Sequence, residues 1–222
     1  MSKASPFSDD ERAAVYRVIA ERRDVRCGFI DRPLPDSLIE RLLLAAHNAP
    51  SVGLMQPSRF IVIRDFDVRK AVREIFEAAN KEASADYAGE KAARYSTLKL
   101  QGILEAPQNL CVLCDSGSER GHGLGRRTMP ETALYSTVCA IQNLWLAARS
   151  EGVGVGWVSI LDPARLRELL SIPEHLTLVA YLCLGYVDGF ASEPDLEIHG
   201  WEKRVELKTV VSYDRYSGER AP

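Results

Sequence analysis

The stretch that decides the fold is T-A-L-Y-S-T-V-C-A-I-Q-N-L-W-L-A-A-R-S-E-G-V-G-V-G-W-V-S-I, residues 132–160. Its first part spaces apolar residues as a helix does and carries few charges, which predicts a helix buried nearly all round. Gly152 ends that helix, and Gly156 to Ile160 predicts a buried strand. A dinucleotide-binding fingerprint needs a strand, then glycines, then a helix, so that phosphates meet the helix N-terminus. The order here is reversed, which argues against a Rossmann fold.

On either side of this stretch, the sequence predicts more helices than strands and no regular βαβ alternation. Ser8 and Glu11 form a capping box for a helix to about Glu21, and a second helix follows Pro35-Asp36. Asp67 is predicted to cap a third helix, and Asp162-Pro163 a short one. The predicted strands are residues 60–63, 110–114, 156–160 and 177–185, and residues 207–213 form a late, isolated extended segment. These elements favour an α+β layer structure with a modest sheet.

Length and charge restrict the possible classes of protein. The chain has 222 residues, which fits one large domain. A net charge of −3 without long runs of like charge argues against a general affinity for nucleic acid or anionic membranes. The polar N-terminus lacks an apolar signal region, and no stretch approaches 18 apolar residues. Five cysteines, an odd number and mostly in apolar surroundings, predict a reduced, cytoplasmic protein.

Cys111 and Cys114 have the C-x-x-C spacing of zinc and redox sites. Residues three apart on a strand point to opposite faces, so the two thiols are not expected to meet at one ion. No second pair lies nearby in the sequence. We therefore expect no metal site and interpret both cysteines as core residues.

Three separated segments are candidates for chemistry. The first is Arg22-Arg23-Asp24-Val25-Arg26, which is either a solvated helix end or a set of guanidinium donors for phosphate and polar ring edges. The second, residues 49–57, contains Ser51 and Gln56 and is otherwise an ordinary helix-stopping loop. The third, Gly154 to Ser159, is otherwise a buried strand entered through a glycine turn.

In this order, the three segments resemble the nitroreductase-fold flavoproteins over most of the chain. The blocks R-R-D-V-R, A-P-S-V-G-L-M-Q-P, residues 134–149 and residues 152–160 narrow the match. They look like the 5,6-dimethylbenzimidazole synthases, the BluB family. Typical nitroreductases carry Ser in place of Asp24, Asn in place of Leu54 and often Trp in place of Ser58. The long blocks are specific, whereas an isolated R-R-x-x-R would be weak.

The resemblance implies a nitroreductase-like α+β fold, with a central, mostly antiparallel sheet flanked by helices. It implies a single FMN-binding domain over residues 1–222 and a homodimer with FMN at the interface. A C-terminal extension, residues 187–222, would wrap the partner, which would explain the isolated segment at 207–213. Residues 81–104 would form a lid over the flavin.

The resemblance also implies an oxidoreductase that uses dioxygen to fragment reduced FMN. The products would be 5,6-dimethylbenzimidazole, the lower ligand of cobalamin, and erythrose 4-phosphate. FMN would be a substrate, supplied in reduced form by a separate flavin reductase. Asp24 would manage protons as an ionised base, and Ser159 would orient the ring edge or an attacking oxygen. Phosphate, ribityl and ring contacts would come from Arg22, Arg23, Asp24, Val25, Arg26, Ser51, Gln56, Ser159 and Arg204.

Two other functions fit the same residues. One is an NAD(P)H-dependent nitro or flavin reductase, which needs room for nicotinamide to stack on the flavin. Asp24 and Leu54 argue against it. The other is a non-catalytic FMN-binding protein, in which bound flavin survives reduction and air unchanged.

Overall fold

The computed structural model describes residues 5–217. The ends of the predicted domain, 1–4 and 218–222, lie outside the described residues, as does the end of the predicted extension. The described part is an α+β structure, as the sequence predicted. Its strands form one antiparallel sheet in the order β1-β2-β4-β3. They are β1 (Ser58–Ile63), β2 (Gln108–Cys114), β3 (Val153–Val158) and β4 (Thr177–Tyr186).

The helices lie at or near the predicted positions, except α7, which falls in the segment after residue 186 that was predicted to be irregular. They are α1 (Asp9–Glu21), α2 (Asp36–His47), α3 (Phe66–Ser84), α4 (Gly89–Thr97), α5 (Thr132–Ser150), α6 (Pro163–Leu169) and α7 (Asp195–Ile198). The capping box of Ser8 and Glu11 is present at the start of α1. Asp162 caps α6 with proline at the first turn.

Several predicted boundaries are wrong: β1 and β2 each begin two residues before their predicted starts, and the starts of α3 and β3 also differ. Asp65, not Asp67, caps α3, because its Oδ1 accepts hydrogen bonds from the backbone N–H groups of Asp67 and Val68 at 2.8 and 3.0 Å. Strand β3 begins at Val153, three residues before the predicted start. Its early glycines pair with β4 like any strand residue, so the turn from α5 is confined to Gly152 and its neighbour.

Helix α5 packs one face on the sheet and leaves another exposed. Its buried residues are Ala133, Ser136, Thr137, Ala140, Ile141, Leu144, Trp145 and Ala148. Tyr135 and Val138 are 53% and 44% exposed, and Cys139 and Gln142 beside them are exposed too. The prediction of burial nearly all round is therefore wrong for a single chain. The exposed stripe consists of three apolar residues, Tyr135, Val138 and Cys139, and the polar Gln142.

The cysteines of the C-x-x-C spacing are buried on separate sides of β2, as predicted. Cys111 belongs to the cluster around Ile63, and Cys114 to a smaller cluster with Met55 and Ala133. Burial raises the pKa of the Cys111 thiol to about 12. Both thiols are therefore packing groups, protonated at neutral pH.

The C-terminal segment is irregular and exposed. The predicted extended segment at 207–213 is instead a short 3-10 turn, Leu207–Thr209, followed by coil. Val205, Leu207, Val210 and Tyr213 are between 61% and 86% exposed. Among residues 5–217, no helix is both long and apolar enough to cross a membrane.

Candidate functional site

The Arg22–Arg26 turn lies along the edge of β3. The backbone N–H of Val25 donates to the carbonyl of Val155 at 2.9 Å, and Asp24 forms a parallel bridge with Val155. A Cβ on Gly156 would stand 2.1 Å from the Val25 carbonyl oxygen, far inside van der Waals contact. The glycine of the strand is therefore needed for this close approach. Two of the three segments predicted from the sequence meet here.

Asp24 is held by one contact from the glycine strand, β3, and one from its own turn. Its Oδ1 accepts the backbone N–H of Trp157 at 3.0 Å, and its Oδ2 lies 2.5 Å from Nη2 of Arg26. The side chain is 30% exposed. Burial raises the pKa of Asp24, and this outweighs the opposing effects of Arg26, the Trp157 N–H and Arg22. The sequence predicted that the arginines would dominate, but desolvation does.

The raised pKa predicts a pH dependence of stability. Asp24 holds its proton more tightly in the folded chain than in the unfolded chain, whose value is near 3.8. Its contribution to the free energy of unfolding is therefore complete below about pH 4 and is lost as pH rises through the folded value. We expect Asp24→Asn to gain stability relative to the parent chain across this window. Urea unfolding at several pH values checks it, and a stability difference independent of pH would contradict it.

Arg22 offers a free cationic group at this site. Within residues 5–217 its guanidinium makes no ion pair or hydrogen bond, and it lies 4.7 Å from the centre of the Trp145 ring. Burial lowers the pKa of Arg22, the charge of Asp24 opposes this shift, and the nearby charge of Arg204 adds to it. Arg204 is exposed on the coil after α7. Two neighbouring guanidiniums without a salt-bridge partner are suited to an anion.

Arg23 and Arg26 are mainly structural by comparison. Arg23 donates from Nη1 to the carbonyls of Ala20 and Arg22, both at 2.8 Å, and from Nη2 to Ser192. Arg26 pairs with Asp24. The Nε atoms of both are buried without a hydrogen-bond partner. The turn thus has more cationic donors than acceptors, which fits a ligand rich in oxygen atoms.

A cavity of about 360 Å³ opens beside the turn. Its walls are the turn itself and the segment after β4, and its lining residues are Arg23, Asp24, Val25, Arg26, Cys27, Gly28, Asp188, Gly189, Ala191, Glu193 and Asp195. Small-molecule sites in proteins commonly measure roughly 300–1,000 Å³. The side chain of Val25 is buried and packs towards Gly154.

Ser159 follows β3 and is exposed, outside the lining of this cavity. It lies two residues beyond Trp157, whose N–H binds Asp24, and two strand residues span roughly 7 Å. Its hydroxyl makes no hydrogen bond within the described part of the chain. Ser159 therefore lies past the end of the strand that holds Asp24 and outside the cavity that Asp24 lines.

The Ser51–Pro57 loop enters the sheet at the other edge. Pro57 leads into β1, three strand spacings from β3, or roughly 14 Å. Gly53, Leu54 and Gln56 have φ of 56°, 54° and 50°, in the left-handed region that non-glycine residues rarely adopt. Ser51 Oγ accepts the Gln56 N–H at 3.1 Å. Strain of this kind collects at functional sites.

The side chain of Gln56 is held by two residues that the sequence did not single out. Its amide nitrogen lies 3.2 Å from Nε2 of His47, and its Oε1 accepts from Arg120 at 3.3 Å. His47 is an exposed histidine at the end of α2, and its contact with the candidate loop is a tertiary one that the sequence does not display.

The predicted lid, residues 81–104, contains the end of α3 and all of α4. Tyr87 and Tyr95 stack at 4.8 Å between ring centroids, and Trp201 packs edge-on against both. Arg94 donates to the Gly200 carbonyl at 2.6 Å. At the base of the lid, a Cβ on Gly102 would stand 3.2 Å from the Arg26 carbonyl oxygen. Residues 81–104 therefore contact both the turn and the C-terminal segment.

Comparison with known proteins identifies the family to which this fold and these motifs belong. The nitroreductase family model matches residues 19–186. A 5,6-dimethylbenzimidazole synthase from Rhodospirillum rubrum is 46% identical over 89% of this chain and 93% of its own length. Another, from Rhodobacter capsulatus, is 42% identical over 90% of this chain and 96% of its own length.

A solved structure of the same architecture is oxidized iodotyrosine deiodinase bound to FMN and 3-iodo-L-tyrosine. It is 23% identical, with a TM-score of 0.73 over 91% of this chain and all of that one. This likeness confirms the predicted nitroreductase fold. The chain belongs to the nitroreductase family of oxidoreductases and, within it, to the 5,6-dimethylbenzimidazole synthases.

Proposed function

We propose that this protein converts reduced FMN and dioxygen to 5,6-dimethylbenzimidazole and erythrose 4-phosphate. FMN supplies the ring system that becomes the product, so it is a substrate rather than a recycled cofactor. The proposal is supported by the relatives of that name at 39–46% identity over about nine tenths of the chain. A separate flavin reductase would supply the reduced flavin.

The observation that carries the proposal is the position of Asp24. A carboxylate stands where typical nitroreductases carry serine, beside a cavity, held by Trp157 N–H and Arg26. Burial raises its pKa towards the range in which a carboxyl group can both take and release protons. Asp24 would manage protons while the ring is broken, and the free hydroxyl of Ser159 would orient the ring edge.

The experiment that tests the function is incubation of the protein with reduced FMN in air. Chromatography for dimethylbenzimidazole separates this proposal from its two rivals. Product formation supports the synthase. Steady NADPH oxidation with a nitroaromatic acceptor and no such product would establish the reductase instead. Bound FMN that survives reduction and air unchanged would establish a non-catalytic flavin-binding protein.

We propose that Arg22 and Arg204 hold the FMN phosphate, since within the described residues neither guanidinium has an ion pair or a hydrogen bond, and Arg22 lies only against the Trp145 ring. Arg23 and Arg26 would then shape the turn, and their guanidinium groups would stand beside the ribityl chain along the cavity that both residues line. Ser51 and Gln56 would contact the ring or ribityl hydroxyls, supplied by the loop at the far edge of the sheet.

Arg22→Ala should weaken FMN binding. A hydrogen bond to a charged group contributes about 1.5–3 kcal/mol, so the dissociation constant should rise roughly 10- to 150-fold. Fluorescence titration of FMN measures it. Arg17→Ala, also an arginine loss but with its guanidinium paired to Glu21 on exposed α1, is the matched control and should bind FMN normally. Equal affinity of Arg22→Ala and the control would contradict the phosphate role.

We propose further that the protein works as a homodimer that completes the site. The apolar stripe of Tyr135 and Val138 on α5 and the exposed Val15, Tyr16 and Ile19 on α1 are surfaces that a second copy would cover. Residues 203–216 would wrap that copy. The edge of β1 borders an apolar groove of about 610 Å³ that could receive such a segment. Sedimentation as a monomer at micromolar concentration would contradict this arrangement.

A further inference from the structure

Arg26 lies between two carboxylates from different parts of the chain. Its Nη2 is 2.5 Å from Oδ2 of Asp24, and its Nη1 is 3.9 Å from Oδ2 of Asp195. The Arg26 side chain is only 14% exposed. Both acids line the same cavity. The two terminal nitrogens of Arg26 therefore face different acids: one faces Asp24, the proposed proton-handling residue, and the other faces Asp195 in the C-terminal segment.

Asp195 is held in place by its surroundings. It begins α7, and His199 Nδ1 lies 3.5 Å from its Oδ1 and 2.9 Å from its backbone oxygen. The chain that follows is anchored to the predicted lid through Trp201 and the Arg94–Gly200 hydrogen bond. Asp195 is therefore held by its contacts within α7, and the residues that follow α7 pack against the predicted lid.

We propose that Asp195 is a positioning residue, which holds Arg26 from the side opposite Asp24 and thereby limits how strongly Arg26 neutralises that carboxylate. The role matters for the reaction only if Asp24 handles protons, so this inference rests on the proposed function. The contact between Asp195 and Arg26 does not depend on the proposed function. Trp201, which packs against residues 81–104, follows α7, and Asp195 at the start of α7 contacts Arg26. These contacts connect the predicted lid to the ion pair of Arg26 and Asp24.

The sign of the effect follows from the charges around Asp24. Those that face it or line its cavity are Arg22, Arg23 and Arg26 on its own turn, Asp195 on α7, Cys183 on β4, and Asp188 and Glu193 along the cavity, with His199 beyond Asp195. Asp195 opposes ionisation of Asp24 by like charge and by competing for Arg26. Removing its charge should therefore favour ionised Asp24.

The test is an NMR titration of the full-length, flavin-free chain carrying aspartate labelled with ¹³C at the carboxyl carbon. The Asp24 signal is assigned by its loss in Asp24→Asn. In Asp195→Asn we expect the Asp24 midpoint to fall by at least a few tenths of a pH unit. Asp188→Asn, the same change in the same cavity without an ion pair to Arg26, should leave the midpoint unmoved. Asp195→Glu should restore it towards that of the parent chain.

A second readout ties the inference to the reaction. In a plot of product yield against pH, the limb that reports the titration of Asp24 should shift to lower pH in Asp195→Asn. If the parent chain makes no dimethylbenzimidazole, the proposed function fails and the NMR titration still tests the contact. An unmoved Asp24 midpoint in Asp195→Asn overturns the inference even when product forms. Equal shifts in Asp195→Asn and Asp188→Asn also overturn it, since they would reflect only net charge.

Discussion

Replacing Asp24 by asparagine should reduce the yield of dimethylbenzimidazole at least ~100-fold while FMN still binds, since a positioned acid–base group typically contributes 10²–10⁴-fold. Asparagine has nearly the same shape, and its Oδ1 can still accept the Trp157 N–H that Asp24 accepts at 3.0 Å. It cannot take up or release a proton near neutral pH. The measurement is product yield per flavin consumed, with the FMN dissociation constant determined on the same preparation.

Asp31→Asn serves as the control for that variant. Asp31 is exposed and lies outside the cavity lining, so the same loss of one carboxylate there should leave yield unchanged. A variant at Asp24 that still forms product at the parent rate would remove Asp24 from the mechanism. Loss of FMN binding along with the yield would instead assign Asp24 to the shape of the turn.

Much of the fold could be predicted because its signals are local. The capping box at Ser8, the proline at the start of α6 and the helical spacing in α5 each depend on residues close in sequence. The errors have the same origin. Asp65 and Asp67 are both good caps, and only the backbone path decides between them. The exposed stripe on α5 could not be recognised because an exposed apolar residue looks, in the sequence, like one of the core.

The candidate site was predictable in part, and the reason for the limit is physical. The Arg22–Arg26 turn and the glycine strand are recognisable motifs, and they do meet at Val25 and Gly156. Asp195 and His47 carry no local signal, since each gains its meaning from a contact across more than one element. The dominance of burial over the arginines at Asp24 also depends on packing, which the sequence does not display.

Gly156→Ala should damage both stability and flavin binding, although it adds one methyl group to a strand. The new Cβ would stand 2.1 Å from the backbone oxygen of Val25, and ordinary contact begins at 3.4 Å, so the turn must retreat by about 1.3 Å. Overpacking of this kind costs about 1–3 kcal/mol. Asp24 and Arg22 belong to that turn and would move with it. A displacement of a positioned group by about 1 Å can lower activity roughly 100-fold.

Urea unfolding and FMN titration of Gly156→Ala measure the two effects separately. The control is Gly117→Ala, since a Cβ there has no atom within 4 Å and the backbone carries no positive φ. It should match the parent chain in both assays. Weakened FMN binding with a modest loss of stability is expected for Gly156→Ala, because the turn can shift while the sheet stays paired through β4. Parent-like affinity would mean that the close approach of turn and strand does not shape the flavin site.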